Sequence, residues 1–506
     1  MSKTADSTDG HMGLAEQYRD GTASAGALKS APAIDHPVAE SLAAAVQKAT
    51  AVEQPVPIYL SVSLPLVDLL PMAAANDDVV RTYWEKPDEN FAMATFGAAV
   101  SFDFDSPVSR ESTMHHITLA LERAIDCSPE PVGAGSLRMV GGFAFDLEGG
   151  QNNLSPDGPS PWAGFPRGRY LLPEALLIRR ENDLALTVVI LAEPRSDVEV
   201  LGNRLVDRLR FYLDKLDDEQ QPEEQAHCTG ETEAPGHETW VELVRLTQKG
   251  MGPDISKVVL ARTLQLTFDG PIALYPALNR LRQLYPSCIS FMFHFPGLGS
   301  FLGATPERLV RLQGQEIYTE ALAGTFPRGA TEQEDQQQQR LFLRDRKERA
   351  EHQFVVDAIR DSLTPVTTRL EIPGEPGILS LRNVMHLLTP IRARLKEPIP
   401  PLTLAALLHP TPAVGVTAKR EAREVIGRYE HQDRGWYSGV LSWIDSRGNG
   451  DFIVGLRSAL LRDTTAYIFA GAGIVSASVP EKEWQETKLK MRPLIRALCN
   501  PSEGVE

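Results

Sequence analysis

The sequence predicts an α+β fold in which large antiparallel β-sheets are flanked by helices. Four strand-like segments follow one another between residues 290 and 322 without a helix between them. A long helix with one apolar side is predicted next, over about Glu332–Leu363. Along the whole chain, strands and helices do not alternate as βαβ units require, and this order argues against a doubly wound parallel sheet.

The first 216 residues predict a head and an N-terminal α+β part. Residues 1–30 are mostly small and polar, with no apolar core of a signal peptide, and we expect them to be disordered. Residues 31–216 are expected to pack on the rest of the protein, and the Ala-rich stretch 31–52 predicts their first helix. The further elements predicted here are strands at Val56–Val62, Met139–Asp146 and Leu184–Leu191 and a helix at Val198–Leu216.

An acidic segment separates this part from the next. Residues 217–238 are rich in Gln, Glu, Pro and Gly and have almost no large apolar residues, a composition typical of a mobile linker. Thr239–Glu242 has the spacing of a capping box, which predicts that a helix begins there and runs to about Lys249. Residues 239–500 are expected to form the second, catalytic part.

The second part is denser in patterned segments. Its predicted elements, in order, are a strand at Lys257–Arg262, a helix at about Pro271–Leu284, strands at Ser290–Phe295, Ser300–Gly303, Leu309–Leu312 and Glu316–Leu322, the long helix, strands at Phe452–Leu461 and Ala466–Phe469, and a closing helix after Pro480.

Composition limits the class of protein. The 506 residues carry a formal net charge of -16, which argues against a nucleic-acid surface and against an anionic membrane surface. The four cysteines are scattered without a CxxC pair, so we expect a reducing cytoplasm and no zinc site. No apolar run approaches the roughly 18 residues that span a bilayer. A small anionic substrate remains compatible with the net charge, because a local group of cations can override it.

Familiar catalytic motifs are absent from the sequence. There is no phosphate-binding GxxxxGK[ST], no GxGxxG after a strand, no GxSxG and no HExxH. Chemistry must therefore come from single charged residues inside apolar segments. Lys257 opens such a segment: it is either an exposed strand terminus or a buried amine that serves as a base. Glu307 follows Pro306 at a turn: it is either solvated or, in a cleft, a protonated general acid.

Three further features are candidates for the functional site, and each of them also has a purely structural explanation. Arg457 lies in an apolar predicted strand and needs a carboxylate partner, from the protein or from a ligand. Glu483, Glu486 and Lys490 share one face of the closing helix, which is either a solvated face or a site for a hard cation with an anionic ligand. The isolated His386 is more often a hydrogen-bonded core histidine than a catalytic group.

In their order along the chain, these segments resemble the chorismate-utilising enzymes, and within them the isochorismate synthases of siderophore and salicylate pathways. The matching stretches are Lys257–Arg262, Gly303–Arg308, Glu320–Thr325, Lys347–His352, His386–Thr389, His409–Ala413, Arg434–Gly439, Gly450–Ser458, Ala470–Val475 and Glu483–Lys490. The resemblance is strong from about Thr239 to Leu498 and thinner before the linker, where Gly141–Asp146 matches best.

The resemblance implies a fold, a reaction and roles. The fold is that of the chorismate-utilising enzymes, and the activity is the Mg²⁺-dependent, reversible conversion of chorismate to isochorismate, an isomerase reaction. Lys257 is implied to be the base that activates water for attack at C2, and Glu307 the acid that protonates the departing C4 hydroxyl. The implied Mg²⁺ ligands are Glu351, Glu483 and Glu486. The implied substrate-binding residues are Gly324, Thr325, His386, Tyr437, Arg457, Gly471 and Lys490.

Two positions discriminate within the family. Members that use ammonia carry Gln where Lys257 stands, and aminodeoxychorismate synthases place a nucleophilic Lys where this chain has Ala323. The chain therefore resembles the water-using branch, which supplies siderophore, salicylate or menaquinone synthesis. Two alternatives stay open: a salicylate synthase, which also expels pyruvate, and a non-catalytic chorismate-binding protein. We expect a cytoplasmic monomer without nucleic-acid or membrane partners.

This sequence departs from the family pattern at three places. Thr305 stands where Ser is usual, residues 347–350 differ from the common Lys-Asp-Arg-His, and Val416–Ala418 replaces a Gly-containing turn. None of the departures removes a residue with an implied catalytic role.

Overall fold

The computed structural model describes residues 54–75, 78–128, 131–147, 154–155, 158–217, 225–252, 255–382, 384–416, 426–427, 429–430 and 432–499. The expectations for a disordered head over residues 1–30 and for a helix over 31–52 fall outside the described residues.

The described strands, in chain order, are β1 (Val56–Leu64), β2 (Arg81–Lys86), β3 (Phe91–Phe96), β4 (Val100–Phe104), β5 (Ile125–Asp126), β6 (Arg138–Phe143), β7 (Leu154–Ser155), β8 (Gly158–Pro159), β9 (Gly168–Leu172), β10 (Ala175–Arg180), β11 (Asp183–Ala192), β12 (Cys228–Ala234), β13 (Val258–Phe268), β14 (Ile289–Phe295), β15 (Gly299–Thr305), β16 (Arg308–Gln313), β17 (Glu316–Pro327), β18 (Thr367–Glu371), β19 (Gly377–Ser380), β20 (Val384–Leu395), β21 (Val440–Asp445), β22 (Gly450–Val454), β23 (Ser458–Arg462) and β24 (Thr465–Ile474).

The described α-helices are α1 (Leu70–Ala73), α2 (Pro107–Arg123), α3 (Val198–Asp217), α4 (His237–Lys249), α5 (Leu274–Leu284), α6 (Glu332–Phe342), α7 (Arg346–Leu363), α8 (Pro401–Leu408) and α9 (Pro480–Leu498). In the described part of the chain, no helix combines the length and the apolar character needed to cross a membrane.

Two large sheets form the centre of the described structure. The first has the strand order β12-β13-β24-β23-β15-β14-β2-β3-β10-β11-β1-β5, and the second has the order β18-β20-β17-β16-β22-β21-β6-β9-β4, with β19 also paired to β20. Apart from the short parallel pair β1–β5, every pairing within them is antiparallel. The prediction of an α+β fold with large antiparallel sheets is confirmed.

The sheets are stacked between helices. Apolar side chains from both sheets share one buried cluster, for example Phe291 of β14 with Ile453 of β22, and Trp436 packs edge-on against Phe293 with ring centroids 5.4 Å apart. The outer faces bury the apolar sides of helices: Leu278 of α5 packs on the first sheet, and Ile359 of α7 packs on the second. Burial of apolar area on both faces of each sheet is the main stabilising contribution.

Strands from both halves of the chain pair within the same sheets. In the first sheet β14 pairs with β2, and in the second sheet β21 pairs with β6. Residues 31–216 and 239–500 are therefore joined by backbone hydrogen bonds as well as by side-chain packing. Their division into two parts stays a prediction from the sequence.

The predicted linker and the start of the following helix need correction. Cys228–Ala234, in the second half of the segment 217–238, is the edge strand β12, which pairs with β13. Helix α4 begins at His237 after the N-cap Gly236, two residues before the expected capping box. Trp240 inside its first turn is fully buried, and its ring contacts Trp484 of α9 with centroids 6.2 Å apart.

The predicted long helix is interrupted. Helix α6 ends at Phe342 and helix α7 begins at Arg346, so a turn separates them. Asp345 explains the new start, because its carboxylate accepts hydrogen bonds from the backbone N–H groups of Lys347 (2.8 Å) and Glu348 (3.0 Å). An aspartate N-cap of this kind satisfies backbone donors that otherwise lack partners at a helix terminus.

The predicted strand Phe452–Leu461 is two strands in different sheets. β22 belongs to the second sheet and β23 to the first, and the chain crosses between the sheets at residues 455–457. Arg457 has a φ of 48° at this crossing. A non-glycine residue in the left-handed region is uncommon and strained. A second crossing, at Pro306–Glu307, connects β15 of the first sheet to β16 of the second.

Candidate active site

The pocket that collects the predicted site residues lies beside these two crossings. The crossings are hydrogen-bonded to each other: the Val454 N–H donates to the Glu307 carbonyl and the Ala304 N–H to the Arg457 carbonyl, both at 3.1 Å. Eleven of the twelve predicted site residues line the pocket: Lys257, Glu307, Gly324, Thr325, Glu351, His386, Tyr437, Arg457, Gly471, Glu486 and Lys490. The twelfth, Glu483, does not line it but is buried nearby.

Lys257 stands just before β13 and is 1% exposed, which excludes the exposed-terminus interpretation. Its Nζ donates to Oε1 of Glu351 on α7 at 2.6 Å. Neighbouring β24 approaches closely only because residue 473 is glycine: a Cβ there would lie 2.6 Å from Cε of Lys257 and 3.0 Å from Oε1 of Glu351. Gly473 thus leaves the space in which the ion pair forms.

Glu307 is buried at the sheet crossing and faces the pocket. Burial raises its pKa from 4.5 to about 7, and the positive charge of Lys257 and the hydroxyl of Thr411 oppose this rise. The Thr411 hydroxyl donates to Oε1 of Glu307 at 3.4 Å, and the Glu307 N–H donates to the hydroxyl of Thr305 at 3.2 Å. A carboxyl group with this pKa is substantially protonated at neutral pH and can donate a proton.

His386 connects two of the predicted substrate-binding positions. Its Nδ1 lies 2.8 Å from the Gly324 carbonyl, which can only accept, so Nδ1 carries the hydrogen. Nε2 is then free to accept from Nη2 of Arg457, 3.3 Å away. Burial and the Arg457 charge lower the pKa of His386 to about 3, so the imidazole stays neutral. His386 is therefore suited to orienting Arg457 and not to transferring protons near neutral pH.

Tyr437 and Lys490 lie on the β24 side of the pocket. The Tyr437 ring stacks on Phe469 with centroids 5.3 Å apart, and burial raises the pKa of its hydroxyl above the usual value. The Lys490 ammonium donates to the Gly471 carbonyl at 2.9 Å and pairs with Glu486 at 2.6 Å. A phenol that stays protonated and an ammonium can both bind a substrate carboxylate.

Gly324 and Thr325 lie where β17 is irregular. The pairing of β17 with β20 shifts register between Ala323 and Phe326, and Gly324 has a φ of 75°, which favours glycine. The Thr325 N–H donates to Oε2 of Glu348 on α7 at 3.1 Å. Glu348 was not among the predicted site residues, although it lies three residues before Glu351 and so shares its helix face.

Carboxylates gather where α7 meets α9. Burial raises the pKa of Glu348 to about 7 and also raises that of Glu483, and neighbouring carboxylates add to both shifts: Glu351 for Glu348, and Glu486 for Glu483. Burial alone would raise the pKa of Glu486 as well, but Lys490, together with Lys347 and Lys257, lowers the pKa below its usual value. Lys347 lies at the cluster, with Nζ 3.9 Å from Glu483.

The chemistry of this cluster fits a hard divalent cation. Buried carboxylates that raise one another's pKa are relieved by a nearby cation, and carboxylate oxygens are the ligands that Mg²⁺ prefers. Among the described residues, however, no three acidic, histidine or cysteine side chains already converge as a metal cage. Glu351 and Glu486 point instead to their lysine partners, Lys257 and Lys490.

Sequence comparisons match this chain to one family model and to curated relatives that share one activity. Residues 44–499 match the family model described as chorismate binding enzyme. The salicylate biosynthesis isochorismate synthase of Pseudomonas aeruginosa is 35% identical over 468 residues, which cover 90% of this chain and 92% of the relative. The isochorismate synthase MenF of Bacillus subtilis is 34% identical over 361 residues, which cover 71% of this chain and 74% of the relative.

Solved structures agree with these relatives. MenF of Escherichia coli, described as a menaquinone-specific isochorismate synthase, is 27% identical with a TM-score of 0.72, and the match covers 90% of this chain and all of that chain. Anthranilate synthase component I of Streptococcus pneumoniae is 19% identical with a TM-score of 0.65 over 81% of this chain and 93% of that chain, and this likeness shows the fold alone.

Proposed function

The chain belongs to the chorismate-binding enzyme family, and from this premise we propose that it is an isochorismate synthase. The reaction is the reversible conversion of chorismate to isochorismate, in which water attacks C2 and the C4 hydroxyl leaves. The observation that carries the proposal is that Lys257 and Glu307 line one pocket, and that burial raises the pKa of Glu307 to about 7. Lys257 in its neutral amine form can accept the proton of water, while Glu307 in its protonated form donates a proton to the leaving hydroxyl.

Substrate recognition is proposed to rest on groups that bind carboxylates. Chorismate has two carboxylates, and the pocket offers the Arg457 guanidinium, the Lys490 ammonium and the Tyr437 hydroxyl. These groups let a dianion bind to a chain whose formal net charge is -16. The backbone at Gly324, Thr325 and Gly471 supplies further polar groups, and His386 lines the pocket while it orients Arg457.

Mg²⁺ is proposed as the cofactor, with Glu351, Glu483 and Glu486 as the residues that would hold it. When bound, Mg²⁺ would neutralise charge on the ring carboxylate of the substrate. The raised pKa of Glu483, which burial and Glu486 cause, supports a cation-binding role for this cluster. Glu348 joins the cluster as a fourth carboxylate that also holds the Thr325 N–H.

Ala323 lines the pocket and supports the water-using branch over the branch that has a nucleophilic lysine at that position.

Isochorismate supply for salicylate or a siderophore is the first proposal for the pathway, because the match to the salicylate biosynthesis relative covers 90% of this chain. Supply for menaquinone is the second, because the similar Escherichia coli structure is described as menaquinone-specific. We also propose that the protein is cytoplasmic and monomeric.

The test is product analysis after incubation of the purified protein with chorismate and Mg²⁺. We expect isochorismate in equilibrium with chorismate, without pyruvate, and no conversion when EDTA removes the metal. Salicylate with stoichiometric pyruvate would move the chain to the salicylate synthases. Unchanged chorismate, with binding still detectable by calorimetry, would instead identify a non-catalytic binding protein.

A further inference from the structure

We propose that Arg434 is a positioning residue that fixes the distance between Lys257 and Glu307. Arg434 lies in the loop before β21, is 5% exposed and reaches the wall of the pocket. The inference rests on the proposed function, because it assigns those two side chains as base and acid. It concerns a residue to which the family resemblance gives no role.

Every N–H group of the Arg434 guanidinium has a partner within the protein. Nε donates to Oε2 of Glu430 at 2.7 Å, and Nη2 donates to Oε1 of Glu430 and to the Val259 carbonyl, the latter at 2.8 Å. Nη1 donates to the Val414 carbonyl at 2.8 Å and, more weakly, to the Ser438 hydroxyl at 3.4 Å. Because a guanidinium has five N–H donors, none remains for a substrate carboxylate. Arg434 therefore acts on the reaction through other residues.

One of these contacts fixes the segment that carries Lys257. Val259, whose carbonyl accepts from Arg434, lies two residues after Lys257 in β13. The Val259 N–H donates in turn to the Gly415 carbonyl at 2.9 Å, and Val258 and Val416 form an isolated β-bridge. Arg434 thus holds β13 against the loop that contains Val414 and Gly415.

The contact of Arg434 with the Val414 carbonyl fixes the loop that contacts Glu307. The Val414 N–H and the Gly415 N–H both donate to the Thr411 carbonyl, at 3.1 and 2.9 Å, which closes a tight turn. The Thr411 hydroxyl donates to Oε1 of Glu307. A single guanidinium therefore connects the strand of the base to the turn that holds the acid.

Glu430 makes this arrangement rigid. Its carboxylate takes two donors of Arg434 and also accepts from the Ala261 N–H of β13 at 2.6 Å. The guanidinium lies over the Phe145 ring, 4.4 Å from its centroid. A buried ion pair adds little net stability over apolar residues of similar size, but its directional hydrogen bonds hold one geometry. Such a pair is suited to positioning.

The experiment compares the double variant R434M/E430Q with the wild type. Removing both charges avoids leaving Glu430 buried without its partner. We expect the folded double variant to bind chorismate with a Kd within about threefold of wild type, while kcat falls on the order of 100-fold, because small misplacement of reacting groups has effects of that size. The matched control is R179M/E85Q, which removes another buried pair (2.9 Å) outside the pocket and is expected to keep kcat.

The outcomes separate the inference from the proposed function. Unchanged kcat in folded R434M/E430Q, or a weaker Kd with unchanged kcat, would overturn the positioning role. If the double variant does not fold, T411V decides, because it leaves Arg434 intact and breaks only the contact to Glu307: reduced kcat with retained Kd supports the inference, and unchanged kcat overturns it. A wild-type protein that does not convert chorismate would overturn the proposed function itself.

Discussion

The Nζ of Lys257 and Oε1 of Glu351 are 2.6 Å apart inside the pocket, and Gly473 of β24 gives them the room to meet. The pair joins the proposed base, which directly precedes β13, to a proposed metal ligand on α7. Base and metal cluster are therefore adjacent in space, although 94 residues separate Lys257 from Glu351 in sequence. Changes that disturb this contact are expected to affect both.

Adding one methyl group at residue 473 should disrupt the site. In G473A the new Cβ would lie 2.6 Å from Cε of Lys257, a separation that forces the lysine to move. We expect kcat/KM to fall on the order of 100-fold or more, since misplacement of a reacting group has effects of this size.

The matched control for this variant is G230A in the edge strand β12, where a Cβ meets nothing within 4 Å. Both variants are assayed for chorismate turnover and for melting temperature. Normal turnover by G473A would show that the position of Lys257 against Glu351 does not matter for the reaction.

The pH dependence of the reaction should reflect the protonation of the Glu307 carboxyl. An acid must be protonated before it can donate, and burial raises the pKa of this carboxyl to about 7. We therefore expect kcat/KM to fall about tenfold per pH unit well above pH 7. The measurement is a pH–rate profile of the wild type from pH 6 to 9 at saturating Mg²⁺, and a rate that stays constant above pH 7 would contradict the role of Glu307 as the acid.

The same raised pKa has a consequence for stability. A group whose pKa is higher in the folded protein favours folding at low pH, and that contribution is lost as the pH rises from about 4.5 through about 7. The shift corresponds to at most roughly 3 kcal/mol. E307Q carries no such charge, so it should be inactive yet more stable than wild type at pH 8.5, with a smaller advantage at pH 5. Denaturant unfolding without substrate checks this, and equal pH dependence in both proteins would contradict it.

The Mg²⁺ dependence of activity should change when a carboxylate of helix α9 is removed. E486Q removes a charge from the cluster, and we expect the Mg²⁺ concentration for half-maximal activity to rise at least about tenfold, since an ionised carboxylate is a much better ligand for Mg²⁺ than an amide. E481Q on the same helix is the control, because Glu481 is exposed and contacts His237 instead. An unchanged Mg²⁺ dependence in E486Q, measured both by activity and by calorimetric titration, would remove Glu486 from the ligand set.

Local patterns in the sequence predicted the fold class and most elements, because strand and helix periodicity reflect which side of each element is buried. They could not show that the apolar run Phe452–Leu461 changes sheets, since both strands are buried and their composition is alike. Nor did the capping-box spacing at Thr239 predict the start of α4, which begins two residues earlier, after the N-cap Gly236.

For the site, a resemblance to a known family supplied the residues that now line one pocket. The role of Gly473 and the five contacts of Arg434 depend on strands and loops far apart in sequence, so no local pattern could reveal them. Glu348 differs, because its spacing from Glu351 on α7 was visible in the sequence. The helix face it shares with that residue makes it a candidate once Glu351 is assigned to the metal.

Substitution of His386 separates orientation of the substrate from proton transfer. H386F keeps a ring of similar shape but removes the donor to the Gly324 carbonyl and the acceptor for Arg457. Leaving such buried groups without partners typically costs 1–3 kcal/mol. If that cost weakens substrate binding, KM for chorismate should rise roughly 5- to 150-fold. The alkaline limb of the pH–rate profile should keep its position, because the low pKa of His386 leaves it neutral throughout. Loss of that limb in H386F would instead assign a proton transfer to His386, and unchanged KM would mean that Arg457 does not need it.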